Sequence, residues 1–207
     1  MPKVRVHCYT MSSDGFVCGP DQTFLDPMGR GSDDLHSWVF ETAGGLRMIG
    51  ADDAEGTTGI DDQLFAAGFD GIGATIMGRN MFGPVRGPWL EPQWTGWWGD
   101  EPPFHHDVYV LTHWPRDDQP MEGGTTFHFV TGGIHEALEL ATEAAGDLDI
   151  RLGGGASTVR QFLAAGLIDE MHVVRVPAVL GAGERLDGPD GPGLRSLTLV
   201  ESIESGP

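Results

Sequence analysis

Short apolar blocks of strand length alternate with blocks of helical period along most of the chain. Val4 to Thr10 reads as a strand that enters a turn at Met11-Ser12-Ser13-Asp14-Gly15. A long polar loop with Gly and Pro follows to about Ser32, and Asp33 or Asp34 can cap a helix through Leu35, Trp38 and Val39 that ends near Gly44. Residues 44–60 are glycine-rich and acidic and read as a mobile loop. Asp61 to Phe69 places Leu64, Phe65 and Phe69 on the inward face of a second short helix. Further strands are expected at Ile72 to Met77, Val108 to Thr112, Thr126 to Val130, Asp149 to Leu152, Met171 to Val176 and Leu194 to Glu201, with a helix over Ile134 to Ala145. Strands alternating with helices predict one α/β domain over residues 1–207, built on a mixed, mostly parallel sheet flanked by helices.

The most informative local pattern spans Ile150 to Leu163, Ile-Arg-Leu-Gly-Gly-Gly-Ala-Ser-Thr-Val-Arg-Gln-Phe-Leu. A strand stops at three glycines, and Val159, Phe162 and Leu163 then fall on one face of a helix. Gly166 offers a left-handed stop, with Leu167 and Ile168 placed to pack back on the last turn. Glycines allow close approach of a ligand to the backbone, and free N–H groups opening a helix attract an anion such as a diphosphate. The plainer reading is a tight turn. Two standard nucleotide motifs are excluded. Thr158 stands where the dinucleotide fingerprint needs its last glycine, and no lysine follows a glycine as a P-loop requires.

Residues suited to ligands recur at strand ends: Ser12 to Gly15, Gly78 and Arg79, Thr112 and His113, Val130 to Gly132, and Gly153 to Ser157. Open parallel sheets bind ligands along that edge.

Composition narrows the chemistry. The formal net charge of −19 argues against nucleic acid or an anionic membrane as partner. Lys3 is the only lysine, so a lysine base, Schiff base or lysine phosphate clamp is not expected, and phosphate recognition falls to main-chain amides, histidine and the arginines. No run of 18 apolar residues exists, and the N-terminus enters a strand without an apolar leader, so a cytoplasmic protein is expected. Cys8 and Cys18 read as reduced thiols, and the His105-His106 pair has no third ligand at a persuasive spacing, so no metal site is expected. Four of the six tryptophans lie between Trp89 and Trp98. They suit either stacking on a planar heterocycle or pinning an extended loop to the core or to a partner.

Taken in order, these pieces resemble the dihydrofolate reductase-like superfamily, and most closely its branch related to the C-terminal reductase domain of bacterial riboflavin biosynthesis. The matching segments are Ser12-Ser13-Asp14-Gly15-Phe16, Ile76-Met77-Gly78-Arg79-Asn80-Met81-Phe82, Val110-Leu111-Thr112-His113, the glycine triplet with its helix, Ala165-Gly166-Leu167-Ile168-Asp169-Glu170, and Pro177 to Gly183. The resemblance implies NADPH as hydride donor, a small heterocyclic (pterin-like or pyrimidine-like) substrate, and a homodimer. It places the cofactor diphosphate on Gly153, Gly154, Gly155, Ala156, Ser157 and Thr158. The 2′-phosphate falls to Arg79 with Thr112 and His113, and further cofactor contacts to Ser12, Asp14, Gly15, Gly78, Asn80 and Val130. Asp34 resembles the family's carboxylate, as proton donor or merely as a helix cap, and Asp14 resembles a loop-ordering residue. Glu184-Arg185-Leu186-Asp187 lacks the aromatic that usually follows leucine, and relatives add one more strand after Leu194 to Glu201. An open sheet edge, a covering partner or a shortened chain is therefore expected. The alternative functions are a dimeric nucleotide-binding or interaction protein without catalysis, and a reductase using a deazaflavin-type cofactor.

Overall fold

A computed structural model describes residues 2–51, 55–83, 86–89, 93–187 and 193–205; Leu90, Glu91 and Pro92 of the tryptophan-rich stretch and residues 52–54 of the expected loop lie outside them. The strands are β1 (Val4–Ser12), β2 (Phe16–Cys18), β3 (Ile72–Gly78), β4 (Asp107–Leu111), β5 (Gln119–Pro120), β6 (Thr126–Val130), β7 (Asp149–Gly154), β8 (Glu170–Val176) and β9 (Glu184–Arg185). The helices are α1 (Ser37–Phe40), α2 (Ala43–Met48), α3 (Ile60–Ala67), α4 (Arg79–Phe82), α5 (Ile134–Ala145) and α6 (Ala156–Ala164). Seven strands form one sheet in the order β5-β6-β4-β3-β7-β1-β8, parallel throughout except for the short β5. β2 and β9 make a separate antiparallel pair. This is the expected mostly parallel α/β sheet, of the dihydrofolate reductase-like kind. None of the described helices is long and apolar enough to cross a membrane.

Period-two alternation sorts the side chains between two layers. Val4, Val6, Tyr9, Met11, Ala74, Ile76, Tyr109, Ile150 and Leu152 point toward α5 and α6 and form the larger core with Val159, Phe162 and Leu163. Ala137, Ala141 and Ala145 give α5 a small-residue face, so its backbone lies close on β3 and β4. On the opposite face Met77, Val108, Val110 and Phe127 form a second core with Phe82 and Phe104, covered by Trp89, Trp94 and Trp98. These tryptophans are thus pinned to the core, the plainer of their two readings. Trp38 binds Thr10 Oγ1 through its indole N–H at 3.0 Å and seats α1 on that same face beside the tip of β1.

Two expected elements differ. The helix expected to end near Gly44 breaks earlier. It comprises a 3-10 turn, Asp33–His36, and α1, after which Thr42 caps a new helix by accepting from Gly45 N at 3.0 Å. Gly45 is what lets the two helices meet, because a Cβ there would stand 1.9 Å from Val39 O. Residues 44–60 are therefore not all loop. The expected strand Leu194 to Glu201 is instead a 3-10 turn, Gly193–Ser196, with no regular structure from 198 to 205. Leu194 and Leu197 pack on the larger core at a spacing of three, which is helical, while Leu199 and Val200 are exposed. Leu194 N is held by Asp187 Oδ1 at 3.1 Å, fixing the turn in place. Among the described residues β8 consequently ends the sheet.

Gly45→Ala should lower stability by about 1–3 kcal/mol through overpacking against the Val39 carbonyl, read as a lower urea midpoint with an unchanged slope.

Candidate functional site

Because the strands from β6 to β8 run parallel, their carboxyl ends share one edge of the sheet. Ser12, Gly78, Thr112, Val130 and Gly154 lie along it in five strands, or one residue beyond them. The sequence clusters therefore converge on a common rim.

At the centre of that rim β7 runs on through Gly153 and Gly154, two residues further than expected, and Gly155 stands at the N-cap of α6 without a side-chain cap. The first amides of α6 are thus left for another acceptor. Gly154 has φ 117°, a conformation closed to other residues, and its peptide bond to Gly155 is cis. Gly78 supplies the close approach from the neighbouring strand: a Cβ there would lie 2.4 Å from Thr158 Oγ1. Thr158 is buried with Ala156, while Ser157 is exposed. The Met81 side chain lies against the turn, 3.3 Å from where a Cβ of Gly153 would be.

Arg79 opens α4 at the tip of β3. Its guanidinium stacks on the Trp89 ring at 3.6 Å, and Nε and Nη1 are buried without a hydrogen-bond partner. Arg116 approaches the same ring at 4.9 Å and donates to Trp94 O at 2.7 Å. Burial, together with the Arg116 charge, pulls Arg79 down to about 10, still a cation at neutral pH. Two guanidinium groups on one indole, with Nε and Nη1 of Arg79 unused, have the charge and donors that suit an anion. Trp89 stands out in the sequence only as one of the clustered tryptophans and Arg116 not at all; the contacts around Arg79 bring both to the site.

The remaining predicted residues divide. The Thr112 hydroxyl is buried and accepts from Trp114 N at 3.1 Å, a local turn that leaves one lone pair, while His113 beside it is exposed. Val130 belongs to the core, and its carbonyl accepts from Thr112 N at 3.0 Å, so it reaches the rim only through its backbone. Asn80, with its amide oxygen turned toward Arg86, accepts from Nη2 and Nε at 2.7 and 2.8 Å. A pocket of about 390 Å³ lies near Arg86, lined by Gly19, Pro20, Asp21, Gln22 and Glu184 rather than by the glycine triplet. Asp34 is exposed on its 3-10 turn, anchored by the fully buried Leu35.

Asp14 organises the loop bordering the rim. Its carboxylate accepts from Ser12 Oγ at 2.7 Å, Gly181 N at 2.7 Å and Leu180 N at 3.1 Å, and Ser12 Oγ in turn accepts from Phe16 N at 2.9 Å. Gly15 makes the turn possible at φ 88°. The Ser12 hydroxyl and the two amides draw the Asp14 carboxyl down to about 2. A depressed carboxyl stabilises the fold above its unfolded value of roughly 3.9 and loses that contribution as pH falls through the folded value. Asp14→Asn should therefore be less stable than the wild type at pH 6, with the difference closing between about pH 4 and pH 2, measured as urea midpoints across pH.

The family model of the RibD C-terminal domain matches residues 2–207. A protein from Shewanella sp. PV-4, described as a riboflavin biosynthesis protein, superposes with a TM-score of 0.51 at 20% identity, covering 91% of this chain and 84% of that one. A diaminohydroxyphosphoribosylaminopyrimidine deaminase/5-amino-6-(5-phosphoribosylamino)uracil reductase from Thermotoga maritima gives a TM-score of 0.48 at 12% identity, over 89% of this chain and 47% of that one. No curated protein matches the chain. A family match over nearly every residue, on a sheet whose glycine turn, Arg79 and Asp14 loop share one rim, places the chain in the RibD C-terminal domain family.

Proposed function

We propose that this protein is an NADPH-dependent reductase of a small pterin-like or pyrimidine-like heterocycle, acting in the cytoplasm as a homodimer. The observation that carries the reading is Arg79: a half-buried cation with two buried, unused donors, beside a second cation, on the same strand edge as an uncapped helix N-terminus. Such a pair of sites fits a molecule with a diphosphate and a separate phosphate monoester. The α6 amides behind Gly153, Gly154 and Gly155 hold the diphosphate, with Ala156, Ser157 and Thr158 forming the first turn. Arg79 holds the 2′-phosphate with its planar donors, flanked by Thr112 and His113. NADPH, when bound, supplies the hydride. The protein contributes position: Gly78 keeps the floor flat, Ser12 and Asp14 fix the loop at Gly15, Asn80 ties α4 to Arg86, and the Val130 backbone closes the end of the rim.

The proton that accompanies hydride transfer has two candidate sources, Asp34 and solvent. An exposed carboxylate on a surface turn exchanges freely with water, so the geometry favours delivery from solvent, with Asp34 a surface residue of its turn.

Arg79→Ala should weaken NADPH binding about 10- to 100-fold, the equivalent of one or two charged hydrogen bonds, and leave NADH binding nearly unchanged. Calorimetric titration of both nucleotides checks this, and equal losses for both would remove the phosphate assignment. Oxidation of NADPH against a panel of pterins and pyrimidines tests the reductase, and tight binding without turnover on any of them would mean a nucleotide-binding protein instead. Asp34→Asn should keep kcat within about twofold of wild type, measured across pH with the best substrate of that panel, whereas a loss of about 100-fold would restore Asp34 as the acid.

A further inference from the structure

The regular alternation of β1 is broken once. Val4 and Val6 face the larger core, and so do Tyr9 and Met11, which leaves one residue too many between them. The pairing with β8 shows where it goes: Val6 faces Met171 and Tyr9 faces Val173, so His7 and Cys8 together oppose the single residue His172. This is a bulge in a parallel pair, a rare place for one. Cys8 takes φ 54° to make it, a conformation that non-glycine residues avoid.

The bulge turns two consecutive side chains to one face. Cys8 Sγ and His7 Nε2 both reach Leu64 O on α3, at 3.8 and 2.8 Å. Cys8 Sγ lies 3.7 Å from His172 Nδ1, and the two imidazole rings are 4.7 Å apart. One ligand atom from each of the three residues falls within 4.8 Å of the others. All three side chains are half-buried, within reach of solvent.

We propose that His7, Cys8 and His172 form a binding site for a thiophilic d10 cation, with Zn2+ as its ligand, holding three protein ligands and one open position. Two imidazoles and one thiolate are a ligand set for such an ion, and a site with three protein ligands leaves a fourth position for water or substrate. The bond to Leu64 O supports the set. A carbonyl only accepts, so His7 carries its proton on Nε2 and its lone pair on Nδ1, and a ligating histidine characteristically donates its other N–H to a carbonyl. Binding exchanges the thiol proton for the metal: the S–H bond breaks, an S–Zn bond forms, and one proton passes to solvent.

The surrounding charges are two guanidinium groups against one carboxylate. The Arg151 guanidinium lies over the Phe69 ring at 4.1 Å with Nε unpartnered and acts on Cys8 and His7, as Arg5 does on His7. Asp61 at the start of α3 acts in the opposite sense on Cys8 and His172. A thiolate and the Asp61 carboxylate together offset the two charges of the ion. Thr10, two residues beyond Cys8, carries Trp38, so the site joins the edge strand β8 to β1 on the face covered by α1 and α3.

The test uses the whole chain, stripped with a chelator and titrated with Co2+ and then Zn2+. The expected result is stoichiometric binding with a thiolate-to-cobalt charge-transfer absorption, displaced by Zn2+, abolished in Cys8→Ser and retained in Cys18→Ser. Zinc X-ray absorption on the loaded wild type should show sulfur at about 2.3 Å and nitrogen at about 2.0 Å. That measurement needs no variant, so a poorly folding Cys8→Ser leaves the test intact. A zinc shell of nitrogen and oxygen alone, absence of stoichiometric binding, or a cobalt band surviving in Cys8→Ser would each overturn the site. NADPH binding is measured separately and bears on neither outcome.

Discussion

The seat of α6 on the sheet is the constraint from which the rest of the rim follows. Val159, Phe162 and Leu163 are buried against β7 and β3, and that burial brings the helix down until Thr158 touches the strand tip. Gly78 permits this approach: a Cβ there would lie 2.4 Å from Thr158 Oγ1, so a side chain would force Thr158 or the helix to move. The apolar face of α6, a stability feature, thus sets the position of its polar end. Its far end is secured by Gly166 at φ 67° and by Leu167 N donating to Phe162 O at 3.0 Å, so the helix is held at both ends.

A half-buried arginine whose Nε and Nη1 have no partner is unusual in any protein, and more so in one with 31 acidic residues. Among the described residues the charge that acts on Arg79 is another arginine, Arg116. Flat contact with Trp89 compensates part of the desolvation through the π face, but it leaves the in-plane donors unused. Among the described residues no carboxylate pairs with Arg79, and the phosphate of the proposed cofactor would complete it.

The regular elements were legible because their signals are local. The apolar runs of β3, β4 and β6 and the face of α5 stand at the expected positions, and β8 ends at Pro177 as its ring requires. Errors arose where contacts distant in sequence decide the conformation. Gly44 looked like a helix stop, yet the close contact of Gly45 with Val39 O and the Thr42 cap start a helix there instead. Leu194 and Leu197 looked like part of a strand until Asp187 and the core imposed a turn. The site shows the same division. Glycines and Arg79 announce themselves beside the strands that carry them, whereas the pairing of Trp89, one of several clustered tryptophans, with Arg116 around Arg79 is visible only as a tertiary contact.

Cys8 shows that limit most sharply. Read along the chain it is one apolar residue in a strand, with His7 as an ordinary alternating neighbour. The extra residue that rotates it toward His172 has no sequence signature, because a bulge is defined by the partner strand, and that partner lies 164 residues away. The position of the bulge is informative in itself. Val4 and Val6 before it, and Tyr9 and Met11 after it, all reach the core, so the strand accommodates an inserted residue without losing one apolar contact. What the insertion changes is the opposite face, where it sets a thiol beside two imidazoles at the cost of a left-handed cysteine. A distortion that leaves packing intact and alters only the polar face is hard to assign to stability, and it directs attention to what that face holds.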